Sequence, residues 1–295
     1  MSTLVLSPLL KRILSALVLA PPLLYVLLLG SPHLLFFVVV PVAGLMVHEW
    51  HRLREPLTVQ GVLPLLLAVV WIMAGSYPGW GEATPEGGVR LLRLPFPLLA
   101  TMLLLLFFIE GMVRYRSEAP VLAEVGRRFF GVIYCSLPMV MLLEIRQAAS
   151  GGWLLCYLLF TIWATDIGAF FAGRRWGRRK LALSISPGKT WAGFWGGLLL
   201  AALTGMVLTT LVALPFAPWQ GMAMAALLSL VGQLGDLAES LAKREAGVKD
   251  SGNLIPGHGG LLDRLDSLLF ATPVFYLLLW LMALLPVKGV LALGG

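Results

Sequence analysis

Charge is what this chain has least of. Asp, Glu, Lys and Arg make up 13% of its 295 residues, roughly half the share of about 25% in a soluble domain. With 59% hydrophobic residues and a mean hydropathy of +0.88, too little polar surface remains to coat a water-soluble globule, so lipid must be the solvent for most of the chain. Cysteine is scarce too: Cys135 and Cys156 both lie inside apolar runs and read as two buried free thiols rather than a disulfide framework. No Cys/His set supports zinc. No repeat of fixed period and no low-complexity tract is visible. The net charge of +7 would suggest nucleic acid for a soluble protein. Here the basic residues sit in short loops between apolar runs, where they set topology and attract anionic lipid or nucleotide phosphates, and no nucleic-acid partner is expected.

Long apolar runs are what the chain does have. A membrane-crossing helix needs about 20 mostly apolar residues, and about nine such runs can be drawn, at 10–30, 32–48, 58–76, 96–113, 129–145, 151–172, 190–213, 217–241 and 262–286. Lys11 and Arg12 precede the first, and no small-residue cleavage site follows it, so it reads as an uncleaved span. With the N-terminus inside, 18 Lys and Arg fall in inner loops and 4 in outer loops, accounting for all 22. The positive-inside rule then fits nine spans with the C-terminus outside. The expected fold is all-α: a polytopic integral membrane protein with about nine transmembrane helices. Residues 1–150 read as a scaffold of apolar spans with few intramembrane charges, Glu110 being an exception, and 151–295 as the catalytic half. The glycine-rich stretch at 76–95 reads as a flexible outer loop.

Three polar clusters lie at inner ends of the later spans. One runs from Asp166 to Lys189 and ends in Ser184-Ile185-Ser186-Pro187-Gly188-Lys189-Thr190. The Gly-Lys-Thr is not a P-loop: the glycine required five residues before Gly188 is Leu183, and no parallel-sheet strand precedes it. Ser186, Lys189 and Thr190 at the start of a helix still suit phosphate, because a helix N-terminus offers free N–H groups and a positive dipole end. In the second cluster, Asp236, Glu239 and Ser240 are spaced to share one helix face, with Lys243 and Arg244 following. Charges in a membrane span are costly and face a cavity or a partner. The third is a glycine loop feeding the last span: Lys249, Asp250, His258, Gly259, Gly260, then Asp263, Arg264 and Asp266. Because the last two spans join through this loop, Asp236 and Asp263 can approach each other. Facing carboxylates without a matching buried cation imply a hard ion such as Mg²⁺, which binds through one or two carboxylates plus substrate phosphates.

The segment Ser240-Leu241-Ala242-Lys243-Arg244, then Lys249-Asp250-Ser251-Gly252, Ile255-Pro256-Gly257-His258-Gly259-Gly260, Asp263-Arg264 and Asp266 resembles the phosphatidate cytidylyltransferase (CDP-diacylglycerol synthase) family pattern. Ser186 to Trp191 with Gly193, Gly196 and Gly197 resembles a second family element, and Asp166 with Gly168 and Gly173 a third. Ala242 and Leu237 depart from the usual larger or aromatic residues, in apolar ways that touch packing more than chemistry. The resemblance implies that CTP and phosphatidic acid give CDP-diacylglycerol and pyrophosphate. It implies a two-metal site on Asp236 and Asp263, with Mg²⁺ as one ion and K⁺ as a candidate for the other. Asp266 and Asp250 come next as acidic candidates. Lys189, Lys243, Arg244, Lys249 and Arg264 are candidates for phosphate contacts, and Ser186, Ser240 and His258 for hydrogen bonds to substrate. The family tends towards homodimers, and the implied place is a bacterial-type cytoplasmic membrane with the site facing the cytoplasm.

Two rival classes share some of these features. An ion-coupled transporter also uses intramembrane carboxylates and glycine-broken helices, but here the polar groups gather at one membrane face and no inverted repeat is visible. Another CTP-dependent lipid enzyme, such as a polyprenol kinase, differs in which phosphate of CTP it transfers.

Overall fold

The computed structural model describes residues 20–54, 59–74, 96–113, 121–212, 214–252, 254 and 259–282. His258, Lys11, Arg12 and the 76–95 loop lie outside the described residues. The helices are α1 (20–28), α2 (Pro32–Arg52), α3 (Val59–Ala74), α4 (Phe96–Val113), α5 (Val121–Arg146), α6 (Gly151–Trp176), α7 (Trp191–Leu211), α8 (Pro218–Glu245) and α9 (Leu262–Leu281). Six of them, α2 and α5 to α9, are long and apolar enough to cross a membrane. The chain is a helical integral membrane protein.

Local chemistry explains several boundaries. Ser31 caps α2, its hydroxyl accepting from the Leu34 amide at 3.1 Å, with Pro32 in the first turn where its missing N–H costs nothing. Thr190 caps α7 in the same way, accepting from the Gly193 amide at 3.1 Å. The expected start of the seventh span at 190 agrees with the structure to within one residue, but the residues before it are not helical. They form strand β2 (Ser186–Thr190), antiparallel to β1 (Lys180–Ala182), and α7 starts only at Trp191. Pro187 accounts for this, since it drives Ser186 into extended backbone and Gly188 then disfavours helix.

Close helix contacts rest on small residues. Helices α6 and α7 meet along Gly168, Gly193, Gly196 and Gly197. A Cβ on Gly197 would come within 2.8 Å of the Thr165 carbonyl, and one on Gly193 within 2.9 Å of the Ala169 carbonyl. Without side chains there, the backbones touch, as membrane helix pairs require when no hydrophobic drive separates them from lipid. Helices α6 and α8 are tied by the buried Tyr157 hydroxyl of α6, which donates to the Gly221 carbonyl of α8. The α8–α9 contact is closest at Gly235, where a Cβ would lie 2.8 Å from the Asp266 carbonyl. Helix α5 packs against α2, α3 and α4, and also reaches α9. On α5, the buried Arg128 donates to Glu110 at 2.9 Å and pairs with Glu124, so the Glu110 noted in the sequence has a cation. Cys135 and Cys156 are buried and free.

Candidate active site

At one end of the bundle, the β1–β2 hairpin closes over α6, α7 and α8 and leaves a cavity of ≈ 550 Å³, within the range of small-molecule sites. Its walls carry both signs of charge. Arg174, Lys180 and Lys189 bring cations from α6 and the hairpin; Asp166 of α6 and Asp236 of α8 bring carboxylates. Lys189 Nζ lies 2.8 Å from Asp236 Oδ2, and Ser240, one turn on, approaches Asp236 Oδ1 at 3.4 Å. Asp266 of α9 is in electrostatic range of both Asp236 and Asp166, as the close approach at Gly235 dictates. It is buried, and its Oδ1 accepts the Ser267 amide at 2.6 Å. Arg264, two residues before Asp266 on α9, is exposed and acts electrostatically on Asp166.

Asp263 belongs to a second, more enclosed group. Its Oδ1 accepts from Lys243 Nζ at 2.5 Å. Its Oδ2 accepts from the Ser251 amide at 2.9 Å, the Ser251 hydroxyl at 2.9 Å and the Gly260 amide at 2.8 Å. Lys243 also binds Glu239 at 3.1 Å, so one ammonium sits between two carboxylates. Side-chain exposure is 8% for Asp263 and 38% for Asp236; of these two, Asp236 is the one open to the cavity.

Most sequence-predicted residues converge on this end, in unequal roles. Asp236, Asp263 and Asp266 lie on the adjoining α8 and α9, and Lys189 and Thr190 lie at the cavity. Lys243 is a buried ion-pair partner of Glu239 and Asp263. The expectation that no buried cation answers the carboxylates is corrected: Lys189 and Lys243 do so. Arg244 ties loops together, donating to the Ile185 carbonyl and the Val248 carbonyl, each at 3.2 Å. Lys249 and Asp250 are exposed, and Ser186 sits half-buried in β2. Gly259 adopts φ +80°, where a side chain is strained, and Gly260 presents its amide to Asp263. His258 is outside the described residues. The sequence reading passed over Arg174, Lys180 and Gln233, which also line the cavity. It also passed over Glu49, a carboxylate in the last turn of an otherwise apolar helix, which is itself the signal that could have found it.

The donor set agrees in kind with a hard cation: carboxylate oxygens beside a cavity, and no sulfur. Among the described residues, no three Asp, Glu, His or Cys side chains gather closely enough to hold a metal by themselves. Mg²⁺ does not need them to, because it binds through one or two carboxylates and takes its remaining oxygens from water and substrate phosphate.

Apolar crossing helices framing a cavity lined by carboxylates and basic side chains suit a membrane enzyme. A sequence model of the cytidylyltransferase family matches residues 10–282, and the chain belongs to that family. It is similar to the phosphatidate cytidylyltransferase of Bacillus subtilis (strain 168), 37% identical over 222 residues, covering 74% of this chain and 78% of that protein. It is also similar to that of Pseudomonas aeruginosa, at 37% over 276 residues (92% and 96% of the two chains), and that of Haemophilus influenzae, at 34% over 280 residues (90% and 96%).

Proposed function

We propose that this protein transfers the cytidylyl group of CTP to the phosphate of phosphatidic acid, giving CDP-diacylglycerol and pyrophosphate for phospholipid biosynthesis. One observation carries the reading to this chain's own residues: the ≈ 550 Å³ cavity in which Lys189 and Asp236 are paired, with Arg174 and Lys180 beside them.

The reaction needs no strong base, because the attacking lipid phosphate oxygen is already anionic. That oxygen bonds to the α-phosphorus of CTP, and the bond from the α-phosphorus to the β-bridging oxygen breaks. Pyrophosphate leaves with the electron pair. The barrier lies in gathering several negative groups, so fixed cations aimed at the polyphosphate are what a site can offer. Lys189, Lys180 and Arg174 supply them from the cavity wall. Asp236 and Asp263 would hold Mg²⁺, with K⁺ as a candidate second ion, and the bound cation would offset charge on the phosphates. In this reading Lys189, paired with Asp236 at the cavity wall, offers its ammonium to the phosphates, and Lys243 holds Asp263 in place. Asp266 and Asp166 tune the field around Asp236, and the loop residues Lys249, Asp250 and His258 complete the site.

A CTP-using site must be open to the cytoplasm while its lipid partner stays in the bilayer. The charge pattern of the loops supports nine spans with the N-terminus inside and the cavity on the cytoplasmic face of a bacterial-type inner membrane. The second half of the chain, 151–295, carries the catalytic groups on a scaffold formed by 1–150, and a homodimer accords with the resemblance. Purified protein should form a labelled lipid from phosphatidic acid with CTP and not with ATP, in detergent micelles where no gradient exists. Failure with every nucleotide, together with substrate flux in vesicles, would favour a transporter instead.

A further inference from the structure

We infer that Glu49 is a positioning residue that holds the glycine loop and the first turn of α9, and so fixes where Asp263 stands; the inference rests on the cytidylyltransferase reading above. The first amides of any helix have no acceptor within it, and at α9 the cap residue is Leu261, which has no side chain able to supply one. Glu49 supplies it from α2. Its Oε1 accepts the Leu261 amide at 3.0 Å and its Oε2 the Leu262 amide at 2.7 Å. Its Oε2 also lies 3.2 Å from the Ser251 hydroxyl, which is 2.9 Å from Asp263 Oδ2. A hydroxyl has one proton to give, so Ser251 Oγ is shared between the two carboxylates and links them.

The glycines around Glu49 fit this role. A Cβ on Gly252 would come within 2.7 Å of Glu49 Oε1, and one on Gly260 within 2.6 Å of Glu49 Oε2. The Glu49 carboxylate explains Gly252, and Gly260 is hemmed in by Glu49 together with the Ser251 hydroxyl, which a Cβ would meet closer still. Glu49 itself is 6% exposed, and a buried carboxylate is tolerated only when its oxygens are satisfied. Three donors from the loop and α9 do that. The two halves of the chain meet here: a residue of α2 sets the geometry of a carboxylate on α9.

The test compares full-length wild type, Glu49→Gln and Met46→Ala in detergent micelles. Met46 is a fully buried core residue one turn away on α2, and its truncation leaves a cavity in the apolar core that lowers stability. Glu49→Gln keeps the shape but turns an NH₂ towards donors. Outer-shell partners of this kind are worth about 10- to 100-fold. The expected result is a fall of at least about 10-fold in kcat for Glu49→Gln with the KM for CTP little changed, and a near-normal kcat for Met46→Ala despite a lowered melting temperature. Wild-type kcat in Glu49→Gln, or losses of kcat that track the melting temperature equally in both variants, would overturn the inference. Hydrogen exchange on the wild type decides the matter if Glu49→Gln does not fold. Amides 261 and 262 should exchange as slowly as those inside α9, and exchange at the rate of an open loop would overturn the contact. Wild type inactive with CTP and phosphatidic acid would count against the cytidylyltransferase reading instead, leaving the exchange result to judge the contact.

Discussion

Lys189 Nζ lies 2.8 Å from Asp236 Oδ2, joining the strand that leads into α7 to the cytoplasm-directed end of α8 in the proposed topology. The pair spans the cavity wall. It neutralises Asp236 and keeps an ammonium within reach of any polyphosphate that enters the cavity.

Lys189→Ala should therefore lower kcat/KM by roughly 100-fold, the scale for removing one donor aimed at developing charge. Lys189→Arg should retain more activity, because charge at that point matters more than shape. Steady-state kinetics over a CTP series checks both, and equal activity of wild type and Lys189→Ala would remove Lys189 from the site.

Asp263→Asn should abolish turnover while the protein still inserts in the membrane. It also leaves Lys243 with one carboxylate instead of two. Breaking a buried pair costs about 3–5 kcal/mol when one partner is removed outright, and asparagine, which keeps an acceptor oxygen, should cost less. Melting in detergent together with activity separates the two effects: a modest shift in melting with complete loss of turnover is expected.

Gly197→Val should separate α6 from α7, because a Cβ there meets the Thr165 carbonyl at 2.8 Å. The expected outcome is lost thermal stability and lost activity together, since both helices wall the cavity. Gly126→Ala on α5 is the contrast. Nothing lies within 4 Å of a Cβ at that position, and replacing a helical glycine by alanine gains about 1 kcal/mol. Unfolding midpoints for the two variants should move in opposite directions.

Removing divalent metal should stop the reaction. Activity should vanish in EDTA and return with Mg²⁺ or Mn²⁺. Full activity in EDTA would mean that Lys189, Lys243 and their neighbours handle the polyphosphate alone, and Asp236 and Asp263 would then be ion-pair partners only.

Much of this architecture could be read from the chain because hydrophobic length is a strong local signal. The runs at 32–48, 151–172 and 217–241 correspond to α2, α6 and α8, each extended by polar residues at its ends. The acidic motif was legible because carboxylates at 236, 263 and 266 are too costly in a membrane to be incidental. Partner assignment was not legible. Whether Lys243 faces phosphate or Asp263 depends on the crossing of α8 and α9, which spacing along one helix does not encode. The β1–β2 hairpin was hidden for a related reason. Its strands are three and five residues long, too short to carry an alternating pattern, and they lead directly into an apolar helix. Glu49 acts on residues more than 200 positions away, a relation that only the folded chain reveals.

The most direct test follows phosphorus. Purified protein would be given phosphatidic acid, Mg²⁺ and CTP labelled at either the α- or the γ-phosphate, and the lipid and water-soluble products would be separated. The account predicts α-label in the lipid and γ-label in pyrophosphate. Label from the γ-position in the lipid would mean phosphoryl transfer, and would contradict it.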